Sequence, residues 1–210
     1  VCNNGASGVV AFSGTGTSYT WTNDTPSIGL AASGTGNIAS FVATNATASA
    51  VTATIVVTPV YTSGVVCTGS TQSFTITVDP TPSVVDPADQ EVCNNDATSA
   101  VTFSGTGATS YTWTNSNTSI GLAASGSGNI ASFTATNVSA VPVIATIVVT
   151  PVFTGGVVCN GPTQSFTITV DPTPSVVDPV DQVVCNSGAT GVVTFTGTGA
   201  TSYTLTNDDT

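Results

Sequence analysis

The stretch Ser27-Ile28-Gly29-Leu30-Ala31-Ala32-Ser33-Gly34-Thr35-Gly36-Asn37-Ile38-Ala39-Ser40-Phe41 returns from Ser119 to Phe133 with one change, Thr35 to Ser127. The two copies stand 92 positions apart. On either side of them, Val-Cys-Asn recurs at Cys2, Cys93 and Cys185, spaced 91 and 92 residues, and Cys67 recurs at Cys159, spaced 92. Trp21, Trp113 and Leu205 keep the same step, and one residue, Ala108, makes the difference between periods. Solenoid coils repeat every 20–50 residues or so, and a period this long fits a small domain of about 100 residues.

Within a period the pattern is that of strands. Val51, Ala53, Ile55 and Val57 alternate with Thr52, Thr54, Val56 and Thr58. Phe74, Ile76 and Val78 alternate with Ser73, Thr75 and Thr77, and Tyr19 and Trp21 with Ser18, Thr20 and Thr22. Ala39, Phe41 and Ala43 form another inward set, matched by Ala131, Phe133 and Ala135. Period-two alternation of β-branched and aromatic residues, broken by Gly, Asn and Pro, reads as short strands. In the opening stretch Ile28, Leu30, Ile38 and Phe41 are core candidates and the glycines are punctuation. Gly34–Ala39 superficially fits G-x-G-x-x-A, but a dinucleotide loop needs a helix after it, and the residues after Ala39 are β-like.

The fold class expected is all-β: tandem immunoglobulin-like β-sandwich domains in an extended array. The domains expected are 1–80, lacking its leading strand, 81–172, complete, and 173–210, the start of a third. Both ends fall inside a period, so the chain is expected to be a window on a longer protein.

Composition removes classes of function. The 210 residues include no Lys, Arg, His or Met, and 11 Asp plus Glu give a net charge of −11. With no cation to displace counterions from phosphates, nucleic acid is not an expected partner, nor is an anionic membrane surface. Without His or Lys there is no Ser–His–Asp set and no Schiff base. An acid pair of glycosidase type from Asp24, Asp208 and Asp209 does not recur, since Asp24 becomes Ser116. The chain is therefore expected not to be an enzyme and to need no cofactor. Side-chain ion pairs cannot form, so burial, backbone hydrogen bonds and disulfides must hold the fold. Hydrophobic residues make up 40% of the chain, with mean hydropathy +0.35, which argues for a packed core. No apolar run reaches the 18 or so residues of a membrane helix, and membrane insertion is not expected.

Five cysteines, two per complete period, suggest disulfides and an extracellular or cell-surface location. The pairing expected is Cys2–Cys67 and Cys93–Cys159, with the partner of Cys185 beyond the sequence; the alternative joins Cys67 to Cys93 across a junction. Neither C-x-x-C nor His favours a metal site. The junctions, VDPTPSVVDPADQEVC and VDPTPSVVDPVDQVVC, are stiffened by proline. Their acids, Asp79, Asp86, Asp89, Asp171, Asp178 and Asp181, could offer oxygen ligands to calcium. The plainer reading, Asp–Pro turns and solvation, is preferred, and no metal is expected. Asn-x-Ser/Thr triplets make Asn45, Asn117 and Asn137 candidate glycan acceptors; Pro26 weakens Asn23.

The blocks VCNN, SGTGTSYTWTNDTPSIGLAASGTGNIASF, TATIVVTPV and TQSFTITVDPTP together resemble the PKD-like repeats of large secreted or surface proteins of Bacteroidota. The resemblance implies an immunoglobulin-like fold in tandem arrays, export, and stalk or adhesin roles. The W-D-F-G-D-G motif of better-known PKD domains is absent, Trp21 being followed by Thr-Asn-Asp. The function expected is structural: a repeat unit of an extracellular stalk, adhesin or self-assembling fibre, whose partners are neighbouring repeats or other copies. The alternative is a glycan-binding module, with Tyr19, Trp21, Tyr111 and Trp113 stacking on surface glycans.

Overall fold

A computed structural model describes residues 1–207 and is all-β, with two sheets and, among those residues, two 3₁₀ turns and no α-helix. The first sheet is built from β1 (Ser18–Asn23), β2 (Ser33–Thr35), β3 (Val51–Ser63), β4 (Val65–Thr68) and β5 (Gln72–Val78). The second contains β6 (Gln90–Cys93), β7 (Ser110–Asn115), β8 (Ser125–Ser127), β9 (Val143–Thr154), β10 (Val158–Asn160) and β11 (Gln164–Asp171). Each sheet thus falls within one sequence period.

The long strand organises each sheet. β3 pairs antiparallel with β1 on one side and with β5 and then β4 on the other. β9 does the same with β7, β11 and β10. The register puts Val51 opposite Val78 at one end of β3 and Tyr61 opposite Cys67 at the other.

A second layer of extended chain faces each sheet. In the first period Ala6 bridges Val42 and Val10 bridges Ile38, both antiparallel; Ala97–Thr134 and Val101–Ile130 repeat this in the second. Ile28, Ile38 and Ala43 from that layer share one cluster with Trp21, Ala53, Ile55 and Val57 from the sheet. The second cluster has the corresponding members Ile120, Ile130, Ala135, Trp113, Ala145, Ile147 and Val149. Alternation therefore identified the core face. Ala39 and Ala131 are exceptions: both are exposed, because the strict alternation breaks between Ile38 and Phe41, and between Ile130 and Phe133, with the intervening residues turned outward.

The repeated fifteen-mer is the corner of this structure. Pro26–Ile28 forms a 3₁₀ turn that ends at Gly29, with φ 92°, and drops Ile28 into the core. Ser33–Thr35 then returns as β2, with Gly34 opposite Trp21. A Cβ on Gly34 would lie 2.2 Å from the indole, as would one on Gly126 from Trp113. The glycine is there because the tryptophan lies flat across the strand. The G-x-G-x-x-A match is thus a hairpin arm with no helix after it.

Beyond β11, among the described residues, no strand forms. Ser175 and Val177 nevertheless donate backbone bonds to Thr198 and Thr196. Asp208 and Asp209 lie outside the described residues.

Candidate functional site at the joint between the two periods

The disulfide joins Cys2 to Cys159, residues 157 apart in sequence, with a Cα–Cα distance of 5.7 Å. Cys67, Cys93 and Cys185 are free and exposed. The expected pairs Cys2–Cys67 and Cys93–Cys159 are corrected, and so is the Cys67–Cys93 alternative. The reason lies in the register. Cys2 bridges Asp79, just past the Val51–Val78 end of β3, whereas Cys67 faces Tyr61, ten residues along the same strand. Ten residues of strand span about 33 Å, and a disulfide needs Cα atoms within about 7 Å. The two cysteines of one period sit at opposite ends of its sheet. Cys93, opposite Asp171, and Cys159, opposite Phe153, are separated in the same way. A cysteine at one end can reach only the far-end cysteine of the following period.

Four other contacts accompany the bond. Asp79 is 1% exposed, and its Oδ2 accepts the Val157 N–H at 3.2 Å, while Oδ1 has no partner. Its carboxylate lies beneath the Gly155–Gly156 turn, where a Cβ on Gly155 would come 2.8 Å from Oδ1. Pro82 lies against Gly161, whose Cβ would meet the Pro82 carbonyl at 1.8 Å. Gly107, with φ 69°, lets its loop approach Ala48 and Pro80. Asn3 Nδ2 donates to Thr81 Oγ1 at 3.0 Å, tying the segment after Cys2 to the linker. The joint is therefore covalent and hydrogen-bonded, with Asp79 and Cys159 buried in it.

The junction acids do not converge. Among the described residues no three Cys, Asp or Glu side chains group to hold a metal. Asp79 is committed to Val157, and Asp89 Oδ1 accepts the Thr167 N–H at 2.6 Å. Asp86, Asp178 and Asp181 are exposed and Asp171 half-buried. The six junction acids therefore do not gather into one carboxylate cluster. The backbone N–H of Thr167 holds the Asp89 carboxyl below its ordinary value. The Thr54 N–H, and next the Thr25 hydroxyl, do the same for Asp24.

Two glycan candidates are also corrected. Asn45 and Asn137 are 5% and 4% exposed. Asn45 Nδ2 donates to the carbonyls of Ser49 and Val78, and Oδ1 accepts from Thr47. Asn137 repeats this with Val141, Val170 and Ser139. A sugar on either amide would displace buried hydrogen bonds. The Asn-x-Ser/Thr triplets are turn devices, in which the side chain of Asn replaces a backbone partner. Asn117 is half-buried; its Oδ1 caps the second 3₁₀ turn at Ser119.

Trp21 and Trp113 are 8% and 7% exposed. Tyr19 packs on Phe12 and Tyr111 on Phe103. The two indoles are thus core, and the two tyrosines are half-buried at its edge.

No helix among the described residues is long and apolar enough to cross a membrane. No protein-family model matches the chain, and no curated protein sequence matches it.

Proposed function

We propose that this chain is structural: a stiff row of immunoglobulin-like, PKD-like β-sandwich units, 1–80, 81–172 and the beginning of another at 173–210, serving in an extracellular stalk, adhesin or fibre. The observation that carries this reading is the Cys2–Cys159 bond between periods, with Asp79 buried against the next hairpin. A row of units under tension gains from such a bond, because the linker between the two periods is bypassed by a second covalent path. The hydroxyl-rich surface, with 41 Thr and 24 Ser, keeps exposed sheet faces soluble with few charges. Trypsin has no Lys or Arg to cut. Disulfides persist in oxidising compartments, which supports placement outside the cell. The sequence blocks that resemble secreted Bacteroidota repeats support the same setting.

Electron microscopy of the purified chain tests this. Rods with two beads at a fixed angle are expected. Beads that swing freely about the linker with the disulfide intact would overturn the reading. The glycan-binding alternative is less favoured, because Trp21 and Trp113 are buried.

A further inference from the structure

We infer that the Cys2–Cys159 bond leads tension around the two cores and onto the strand that follows Cys159, so that this part of the chain is a tether that does not lengthen when a sandwich opens. The inference deepens the structural reading above and rests on it.

The bond closes residues 3–158 into a covalent loop, and that loop holds β1 through β9. Trp21, Trp113 and most members of both core clusters lie in it. A load between the chain before Cys2 and the chain after Cys159 passes through the two sulfurs and not through the loop. Opening the strands of the loop adds no length to that route. Without the bond the same load runs through the 157 residue steps from Cys2 to Cys159, which hold about 500 Å of chain at roughly 3.3 Å per residue. The bond replaces them with a Cα–Cα distance of 5.7 Å.

The register after Cys159 supplies the second observation. From Cys159 to Val170 the chain takes eleven steps, and the β9 residues opposite, Phe153 to Val143, take ten. β10 and β11 are thus one nearly straight run along β9, about 36 Å long at roughly 3.3 Å per residue. The one extra residue falls between Asn160 and Gln164, which face Val152 and Val149. There the Gly161 N–H donates to the Pro151 carbonyl at 3.0 Å. Pulling this run taut gains only a few Å, since a stretched chain reaches about 3.6 Å per residue. The first period has the same register. Cys67 to Val78 takes eleven steps opposite the ten from Tyr61 to Val51, and the Gly69 N–H donates to the Pro59 carbonyl at 2.9 Å. A straight run from this cysteine to the other end of the sheet is therefore part of the repeating unit.

The loaded strand is also held in place. β11 is bonded along one edge to β9 and along the other to β6, which runs parallel to it. Phe166, Ile168 and Val170 anchor it in the core, and Asp89 Oδ1 accepts its Thr167 N–H. Tension thus travels along one extended backbone, from the Cys159 end of the sheet to the Asp171 end.

The test stretches the full chain between an N-terminal tag and a handle attached at Thr173→Cys. Cys67→Ser, Cys93→Ser and Cys185→Ser remove the thiols that could attack the bond, and peptide mapping checks that Cys2–Cys159 has formed. The oxidised chain should show no lengthening step beyond roughly 10 Å, about three residues, up to the force at which the reduced chain has opened both sandwiches. After a phosphine reduces the bond, steps totalling about 500 Å should appear. Ile55→Val, which trims the first core, should lower the force of one of those steps and leave the oxidised trace unchanged. A step of tens of Å with the bond intact, or an oxidised trace that shifts with Ile55→Val, would overturn the inference. Electron microscopy of the oxidised sample separates this from the reading beneath it. Rigid two-bead rods that lengthen in steps sink the inference alone; loosely hinged beads, or a map without the Cys2–Cys159 bond, sink both.

Discussion

At the residue scale the fold depends on a few polar and small side chains placed where nothing else fits. Gly34 and Gly126 make room for an indole, so Gly34→Ala should cost about 1–3 kcal/mol by overpacking, read as a fall in the denaturant midpoint. Asn45 satisfies the buried Val78 carbonyl, and Asn45→Ala should cost about 1–3 kcal/mol for the acceptor left unpaired. Asp24 tests the opposite case. Its Oδ1 accepts the Thr54 N–H at 2.8 Å, and in the next period Ser116 Oγ accepts the Thr146 N–H at the same distance. Asp24→Ser should therefore leave the denaturant midpoint at neutral pH nearly unchanged, whereas Asp24→Ala should lower it. The pH dependence arises from the same bonds. Asp24 and Asp89 are held below their ordinary values in the folded chain, so their contribution is present above the unfolded value, about 4, and is lost as pH falls through the folded one. Denaturation midpoints should decline below about pH 4, and Asp89→Asn with Asp24→Ser should flatten that decline.

At the element scale, strands were legible because the chain alternates so regularly. The inward sets on β3, β5 and β1 are those the sequence shows, and the Trp21 and Trp113 positions follow from them. The second layer was less legible. It runs as extended chain held by isolated bridges, and its alternation misassigned Ala39 and Ala131. The triplets at Asn45 and Asn137 misled for a related reason. The residues that make an Asx turn, Asn followed two positions later by Ser or Thr, also spell a glycan acceptor, and only burial separates the two. Acids spread along a proline-stiffened linker likewise look alike whether they converge or diverge. Here one binds a backbone N–H across the joint, another one on β11, Asp171 is half-buried, and Asp86, Asp178 and Asp181 face solvent.

At the scale of the whole molecule the disulfide was the least legible feature. A period of 92 residues makes Cys2 with Cys67 and Cys2 with Cys159 equivalent in sequence; the length of β3 decides between them. That strand carries the two cysteines of a period to opposite ends, so the bond runs between periods. Breaking the staple by Cys159→Ser should leave both sandwiches folded and loosen their relative orientation. Small-angle scattering should then show a broader distribution of long distances than the oxidised chain gives. The most direct measurement is a disulfide map: digestion with pepsin at acid pH, where thiol exchange is slow, and mass spectrometry without reduction. A Cys2 peptide bonded to a Cys159 peptide is expected, with Cys67 and Cys93 free in the monomer. A Cys2–Cys67 peptide pair would contradict a bond between periods.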